Sequence, residues 1–245
     1  MKILVCITKV PDTTTKIQFT DNNTQFDENG VTWIMNPTDE WYALVRAIEV
    51  KEKHGGTVTA INVGDASNDQ VIRKALAIGA DDAVRIDAQP ADAYFVAAQI
   101  AEYAKQNGFN MIFTGKETIN FNSGIVGGMI AELLDWPNVA IAEHMDFDGS
   151  KATITREIEG GSEKVEVSAP FVISANKGLA EQRIPNMRGI MMARKKPLNV
   201  VPAFNDVNTL TGASSFVLPP ARSSVKLMDD AAALVKALHE EAKAI

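Results

Sequence analysis

Before Pro137, short apolar runs rich in β-branched residues alternate with segments of helical periodicity, and this rhythm limits the possible folds more than any other feature. The runs are Ile3 to Ile7, Thr57 to Val63, Asp82 to Ile86 and Met111 to Thr114. Each is short, and the first is apolar throughout, as in a strand covered on both faces. After the first run, Asn36-Pro37-Thr38-Asp39-Glu40 reads as a helix start: a capping residue, a proline whose missing N–H costs nothing there, and acids facing the macrodipole. Trp41, Leu44, Val45 and Ile48 follow at i, i+3, i+4 and i+7, giving that helix one packing face. Asn68 to Ile78, closed by Gly79, and Ala91 to Gln106, with Val96, Ile100 and Tyr103 before Gly108, are the next two helices. A fourth ends near Asp135-Trp136-Pro137. Strands and helices in such alternation, with short connections, imply parallel strands and right-handed crossovers. The expected fold is an α/β doubly wound parallel sheet with Ile3 to Ile7 at its centre.

The stretch Met111 to Leu134 joins a buried strand to a helix through a glycine-containing loop. In an open sheet this aims backbone N–H groups and the positive end of a helix at one point, where a phosphate can sit. From Gly115 to Val126 the loop offers Lys116, Thr118, Asn120, Asn122 and Ser123 beside bare backbone at Gly115 and Gly124. It is not a P-loop, because Glu117 follows Gly115-Lys116 and no glycine lies five residues upstream, and no Gly-x-Gly-x-x-Gly follows any strand. Spacing alone fits an ordinary strand-to-helix connection equally well, with Gly127 and Gly128 serving helix packing.

After Pro137 the rhythm changes. Val139 to Phe147, Lys151 to Glu159 and Lys164 to Ser168 read as strands joined by hairpin turns at Asp148-Gly149 and Gly160-Gly161. Ile154, Arg156 and Ile158 would form the drier side of the middle one. Phe171 to Ala175 reads as another buried strand, Ile17 to Thr20 could pair with Val31 to Met35, and Gly189 to Arg194 reads as a short helix before Arg194-Lys195-Lys196-Pro197. From Leu198 the chain is proline-dotted and extended, with too few periodic apolar residues for a core of its own. The division expected is an α/β domain at 1–197 and an arm at 198–245. The arm ends in an amphipathic helix, Asp229 to Ile245, which must dock on its own domain or on a partner.

Composition excludes several classes of function. A formal net charge of -7 and a pI near 5.1 argue against general binding of nucleic acid or anionic membrane. No apolar run is long enough for membrane insertion, and the start lacks the pattern of a signal peptide, so a soluble, untargeted cytoplasmic protein is expected. The single cysteine, Cys6, excludes an intrachain disulfide and reads as a small core residue. His54, His144 and His239 lack metal-ligand spacing, and Glu143 and His144 are strand neighbours that point to opposite faces. No catalytic constellation emerges. Arg183, Arg188 and residues 194–196 read as a solvated basic face.

Longer stretches then add a resemblance that covers nearly the full length. KILVCITKVPD, MNPTDE, IRKALAIGAD, GKETINFNSGIVGGMIAELLDWP, REIEGGSEKVEVSAPFVISA and RIPNMRGIMMARKKPL occur in the order and spacing of the β subunits of electron-transfer flavoproteins, which the chain resembles. The resemblance implies an adenine-nucleotide α-hydrolase-like sheet with a β-hairpin addition and an extended arm. It also implies a heterodimer with an α subunit that carries the redox FAD, an AMP held structurally in the β subunit, and a recognition loop, here 176–190, that docks on dehydrogenases. A related branch holds a second FAD in place of AMP and bifurcates electrons. On this sequence the implied nucleotide contacts are Cys6, Asn36, Pro37, Thr38, Asp39, Val63, Gly115, Lys116, Glu117, Thr118, Ile119, Asn120, Phe121, Asn122, Ser123, Gly124, Ile125 and Val126. The implied partner contacts are Leu179, as the anchor, and Arg183. Asn120 stands where the family usually has Asp, Ile125-Val126 where it has Gln-Thr or Gln-Val, and Ala180 and Gln182 where it has Asn and Pro. Readings of a different class are a free-standing adenine-nucleotide sensor resembling universal stress proteins and an adenylate-processing enzyme. The first leaves the hairpins and arm unexplained, and the second needs a metal or positioned base.

Overall fold

The computed structural model describes residues 1–205, 207–222 and 224–245. Its elements in chain order are β1 (Lys2–Cys6), β2 (Lys9–Pro11), β3 (Phe19–Thr20), β4 (Gln25–Phe26), β5 (Trp33–Met35), α1 (Asp39–His54), β6 (Thr57–Val63), α2 (Asp69–Ile78), β7 (Asp82–Asp87), α3 (Ala93–Asn107) and β8 (Met111–Gly115). There follow α4 (Val126–Leu134), β9 (Asn138–Phe147), β10 (Lys151–Ile158), β11 (Gly161–Ser168), β12 (Phe171–Ala175), α5 (Met187–Ala193), β13 (Leu198–Pro202) and α6 (Ala231–Glu240). A 3₁₀ turn, Ala66–Asn68, precedes α2.

A nine-stranded sheet runs in the order β11-β10-β9-β12-β8-β1-β6-β7-β13. All neighbours from β9 to β13 in that order are parallel, while β10 is antiparallel to β9 and to β11. β1 therefore lies in the middle of the parallel portion, and its alternating side chains serve two cores. Ile3, Val5 and Ile7 join Phe113, Phe171 and Ile173 against α1 and α2. Leu4 and Cys6 join Ile61, Val84 and Ile112 against α3 and α4. Such two-sided burial is why these strands lack alternation in sequence. The chain leaves β1 for α1 on one face and leaves β8 for α4 on the other. The adjacent carboxyl ends of β1 and β8 thus form a topological switch point, the usual ligand position in sheets of this kind.

Several expectations are corrected. α1 begins at Asp39 and not beside Asn36; Thr38 occupies the cap position without a side-chain capping bond. The ribbons near the start pair differently: Phe19–Thr20 of β3 pairs with β4, and Trp33–Met35 of β5 pairs with β2. Ile158 is exposed: it lies beyond the last pairing of β10 with β9, Arg156↔Ala142, beside the hairpin turn, and Arg156 meets Glu163. Residues read as the start of the arm form β13, which pairs with β7 from Leu198↔Ala83 to Pro202↔Asp87, so the sheet continues past the expected boundary at 197.

Beyond β13 the arm touches the body at separate points. Gln99 bonds the Phe204 main chain at both ends of its amide, Asp92 accepts from the Leu210 and Thr211 N–H groups, and Phe216 stacks on Phe19. Asp230 caps α6, but no residue of α6 is buried. Its apolar stripe lies uncovered, with Leu234 and Val235 exposed. Among the described residues no helix is long and apolar enough to cross a membrane.

Candidate functional site

The switch point is built from four chain segments. β1 ends at Cys6, β6 ends at Val63, β8 ends at Gly115, and the segment before α1 passes over them. Asn62 Nδ2 donates to the Ile7 carbonyl at 2.9 Å, and Asn68 Nδ2 to Asn62 Oδ1 at 2.8 Å, both buried, which fixes the ends of β1 and β6 relative to each other. Glu40 does the same between β1 and α1: its carboxyl accepts from Thr8 N–H at 2.7 Å and from Thr8 Oγ1 at 2.8 Å. Burial pushes this carboxyl up to about 8, against the pull of the two Thr8 bonds. The site floor is thereby relieved of a negative charge near neutrality. Gly115 must be glycine, since a Cβ there would stand 2.9 Å from Glu40 Cγ and 3.1 Å from Asp39 Cβ.

The expected nucleotide contacts divide into three groups. Cys6 and Val63 are buried and share one apolar cluster with the partly buried Val126. Burial, with Glu40 nearby, raises the Cys6 thiol, so it behaves as a small apolar group. Asn36 is fully buried; its Nδ2 donates to the Glu117 carbonyl at 3.0 Å, tying the α1 approach to the β8–α4 loop, while its Oδ1 has no partner among the described residues. A cavity of about 280 Å³ follows, lined by Thr38, Asp39, Lys116, Glu117, Ile119 and Asn122 among others. Asp39 is raised by burial, with Lys116 pulling the other way. The third group, Asn120 to Ile125, is exposed, Phe121 at 74%. Asn122 adopts a left-handed φ of 50° and its N–H returns to the Thr118 carbonyl. The loop then enters α4, whose first turn has no side-chain cap, so its leading N–H groups are free for another acceptor.

The segment 176–197 is organised quite differently. Leu179, the expected anchor, is 0% exposed in this chain and belongs to the main core, so it holds the segment down. α1 and α2 grip the backbone around it. Arg46 Nε donates to Leu179 O at 2.8 Å, Trp41 Nε1 to Arg183 O at 3.2 Å, and Gln182 Nε2 to Pro37 O. Arg183 makes a paired contact with Glu52 at 2.8 and 2.9 Å, which raises the guanidinium and lowers the carboxyl. Arg73 of α2 donates to the Ala193 and Lys196 carbonyls, and Lys196 in return donates to the Leu76 and Ala80 carbonyls at the end of α2. Arg73 thus caps the C-terminal end of α5, and Lys196, just past α5, caps that of α2. Exposed on this frame are Ile184 at 87%, Met187, Ile190, Met191 and Met192.

Sequence reasoning missed Thr8, Asn62, Asn68 and the burial of Glu40. Asn62 did leave a signal, a lone amide between the apolar Ile61 and Val63. Glu40 left none, because an acid in a first helical turn is read as a macrodipole partner. His144 meets Asp146 at the surface and not Glu143. Among the described residues no group of His, Cys, Asp and Glu could hold a metal ion.

Comparison with known proteins agrees with this arrangement. The electron transfer flavoprotein domain family matches residues 23–205. The electron transfer flavoprotein subunit beta of Bacillus subtilis is 36% identical over 100% of both chains. Its counterpart in Syntrophomonas wolfei is 35% identical over 94% of this chain and 91% of that protein. The human subunit beta is 31% identical over 98% of this chain and 97% of its own. With a doubly wound sheet, a family match across most of its length and full-length relatives at this identity, the chain belongs to the electron transfer flavoprotein family, as a β subunit.

Proposed function

We propose that this chain pairs with an electron transfer flavoprotein α subunit, and that the heterodimer carries electrons between dehydrogenases of the acyl-CoA type and a downstream acceptor. In this reading FAD lies in the α subunit and AMP lies in the β-subunit crevice as a structural ligand. Electron chemistry belongs to the flavin. This chain orients, encloses and docks, and needs no catalytic side chain.

The observation that carries the nucleotide reading is Asn36, fully buried with an unpartnered Oδ1, beside a loop that leads into an uncapped helix. A buried acceptor of this sort is costly unless a ligand donor meets it. The residues present fit an adenylate. Cys6, Val63 and Val126 offer an apolar wall for a base, while Thr118, Asn120, Asn122 and Ser123 offer hydroxyls and amides for a ribose. The first turn of α4 suits a phosphate, above a floor where Glu40 is held neutral.

In the same reading the segment 176–190 docks on dehydrogenases through its exposed residues, with Ile184 foremost, and Leu179 underpins it from below. The arm and α6 lie on the α subunit, which would cover the stripe left open on α6. The Lys9 to Thr14 segment, with β2 at its start, faces the partner's flavin. A cytoplasmic location belongs to this proposal as well.

The test is nucleotide extraction and mass spectrometry of the co-purified pair. The expected result is one AMP and one FAD per heterodimer, with a flavin spectrum from the pair and none from this chain alone. Recovery of a second FAD in place of AMP, or stable yellow colour in the isolated chain, would shift the assignment to the electron-bifurcating branch. Recovery of no nucleotide would remove the crevice reading.

A further inference from the structure

The nine methionines of this chain divide by position. Met35, Met111 and Met145 are buried in the core, and Met1, Met129 and Met228 are partly covered. The exposed ones, Met187, Met191 and Met192, all lie on α5, at 74%, 67% and 50% exposure. Helix geometry accounts for this. Gly189 and Ala193, four residues apart, face α2, Gly189 so closely that a Cβ would stand 2.5 Å from the Ala77 carbonyl oxygen. Met187 and Met191, also four apart, must then point the opposite way. The Arg73 and Lys196 bonds hold the C-terminal end of α5, and Asn186 caps its start by accepting from Gly189 N–H, so the methionine face cannot roll inward.

Thioethers make adaptable apolar contacts, and they are also readily converted to polar groups by peroxides. We infer that Met187 and Met191 form a reversible oxidation site, with hydrogen peroxide as oxidant, whose sulfoxide state weakens docking of the dehydrogenase. This rests on the reading of the neighbouring segment as the docking surface. The sulfur lone pair attacks one peroxide oxygen, the O–O bond breaks and the S–O bond forms. Sulfur gives up two electrons, and the other oxygen departs as water. Each sulfoxide sets a strong acceptor beside the exposed Ile184 and Ile190, which offer it no donor. A partner that closes over the patch would strip water from that oxygen without replacing it.

The heterodimer is titrated with hydrogen peroxide, oxygen addition at residues 187, 191 and 192 is followed by peptide mass, and KM is measured. The probe is the acyl-CoA dehydrogenase that the untreated heterodimer reoxidises fastest in a panel. Oxidation at Met187 and Met191 is expected to raise KM about tenfold with kcat changed less than about twofold, the pattern of lost uniform binding. Methionine sulfoxide reductases with a dithiol should restore it. The Met187→Leu/Met191→Leu/Met192→Leu variant, compared with its own untreated KM, should show no change on peroxide treatment. An unchanged KM with both sites fully oxidised overturns the inference, as does an equal loss in the leucine variant. Failure of the docking reading is recognised separately: Ile184→Asp would then leave the untreated KM unchanged, or no dehydrogenase in the panel would be engaged, and the inference falls with it.

Discussion

The loop 116–125 and the segment 176–197 lie beyond the carboxyl ends of neighbouring strands, β8 and β12, yet they are held in opposite ways. In the second, backbone carbonyls at Leu179, Arg183, Ala193 and Lys196 receive side-chain donors from α1 and α2, and Leu179 is driven into the core. In the first, Asn36 and the Ala175 carbonyl tie only the opening residues, and the tip from Asn120 to Ile125 lies in solvent. A surface that meets a macromolecule gains from being rigid beforehand, since ordering it on contact would subtract from affinity. A surface that closes on a small ligand can leave its own polar groups for the ligand to satisfy.

The contrast can be broken by substitution. Leu179→Ala should cost about 3 kcal/mol in urea unfolding, because it empties a site inside the core; a loss under about 0.5 kcal/mol would mean that the segment is not anchored there. Glu40→Gln tests the crevice floor through pH. The carboxyl is raised from 4.5 to about 8, so the folded chain holds a proton that the unfolded chain releases. Its contribution is complete below about pH 4.5 and is lost as pH rises through about 8. The wild type should therefore lose on the order of 3 kcal/mol relative to Glu40→Gln between pH 5 and pH 9, read from paired denaturant midpoints. Arg73→Ala removes both carbonyl partners behind α5 and should cost about 2 kcal/mol, with faster amide exchange across 187–197. Phe121→Ala, at the solvent-exposed loop tip, should change stability by less than about 0.5 kcal/mol. A larger effect would show that the loop is packed after all.

The parallel sheet was readable because β1, β6, β8 and β12 are covered on both faces, which leaves uninterrupted β-branched and aromatic runs. Chain order within the sheet was less accessible: β12 inserts between β8 and β9, and no local pattern announces that. The α1 start was misplaced for a physical reason. Asn36 has the chemistry of a cap, but its side chain is used on Glu117 O, 81 residues further along the chain, which no local pattern reveals. Leu179 shows the limit of carrying a role by resemblance, since nothing in NKGLAEQR distinguishes a leucine that plugs a core from one that faces a partner. β13 was hidden by Pro197 and Pro202, which punctuate like a linker yet tolerate a strand at the sheet's edge.

Those two prolines have a further effect on β13, which is the last strand on its side of the sheet. An open edge is a template on which foreign chains can add, and proline interrupts its row of amide donors. Here the row is five residues long and ends in a proline, so the point where the arm departs is also a guard against aggregation.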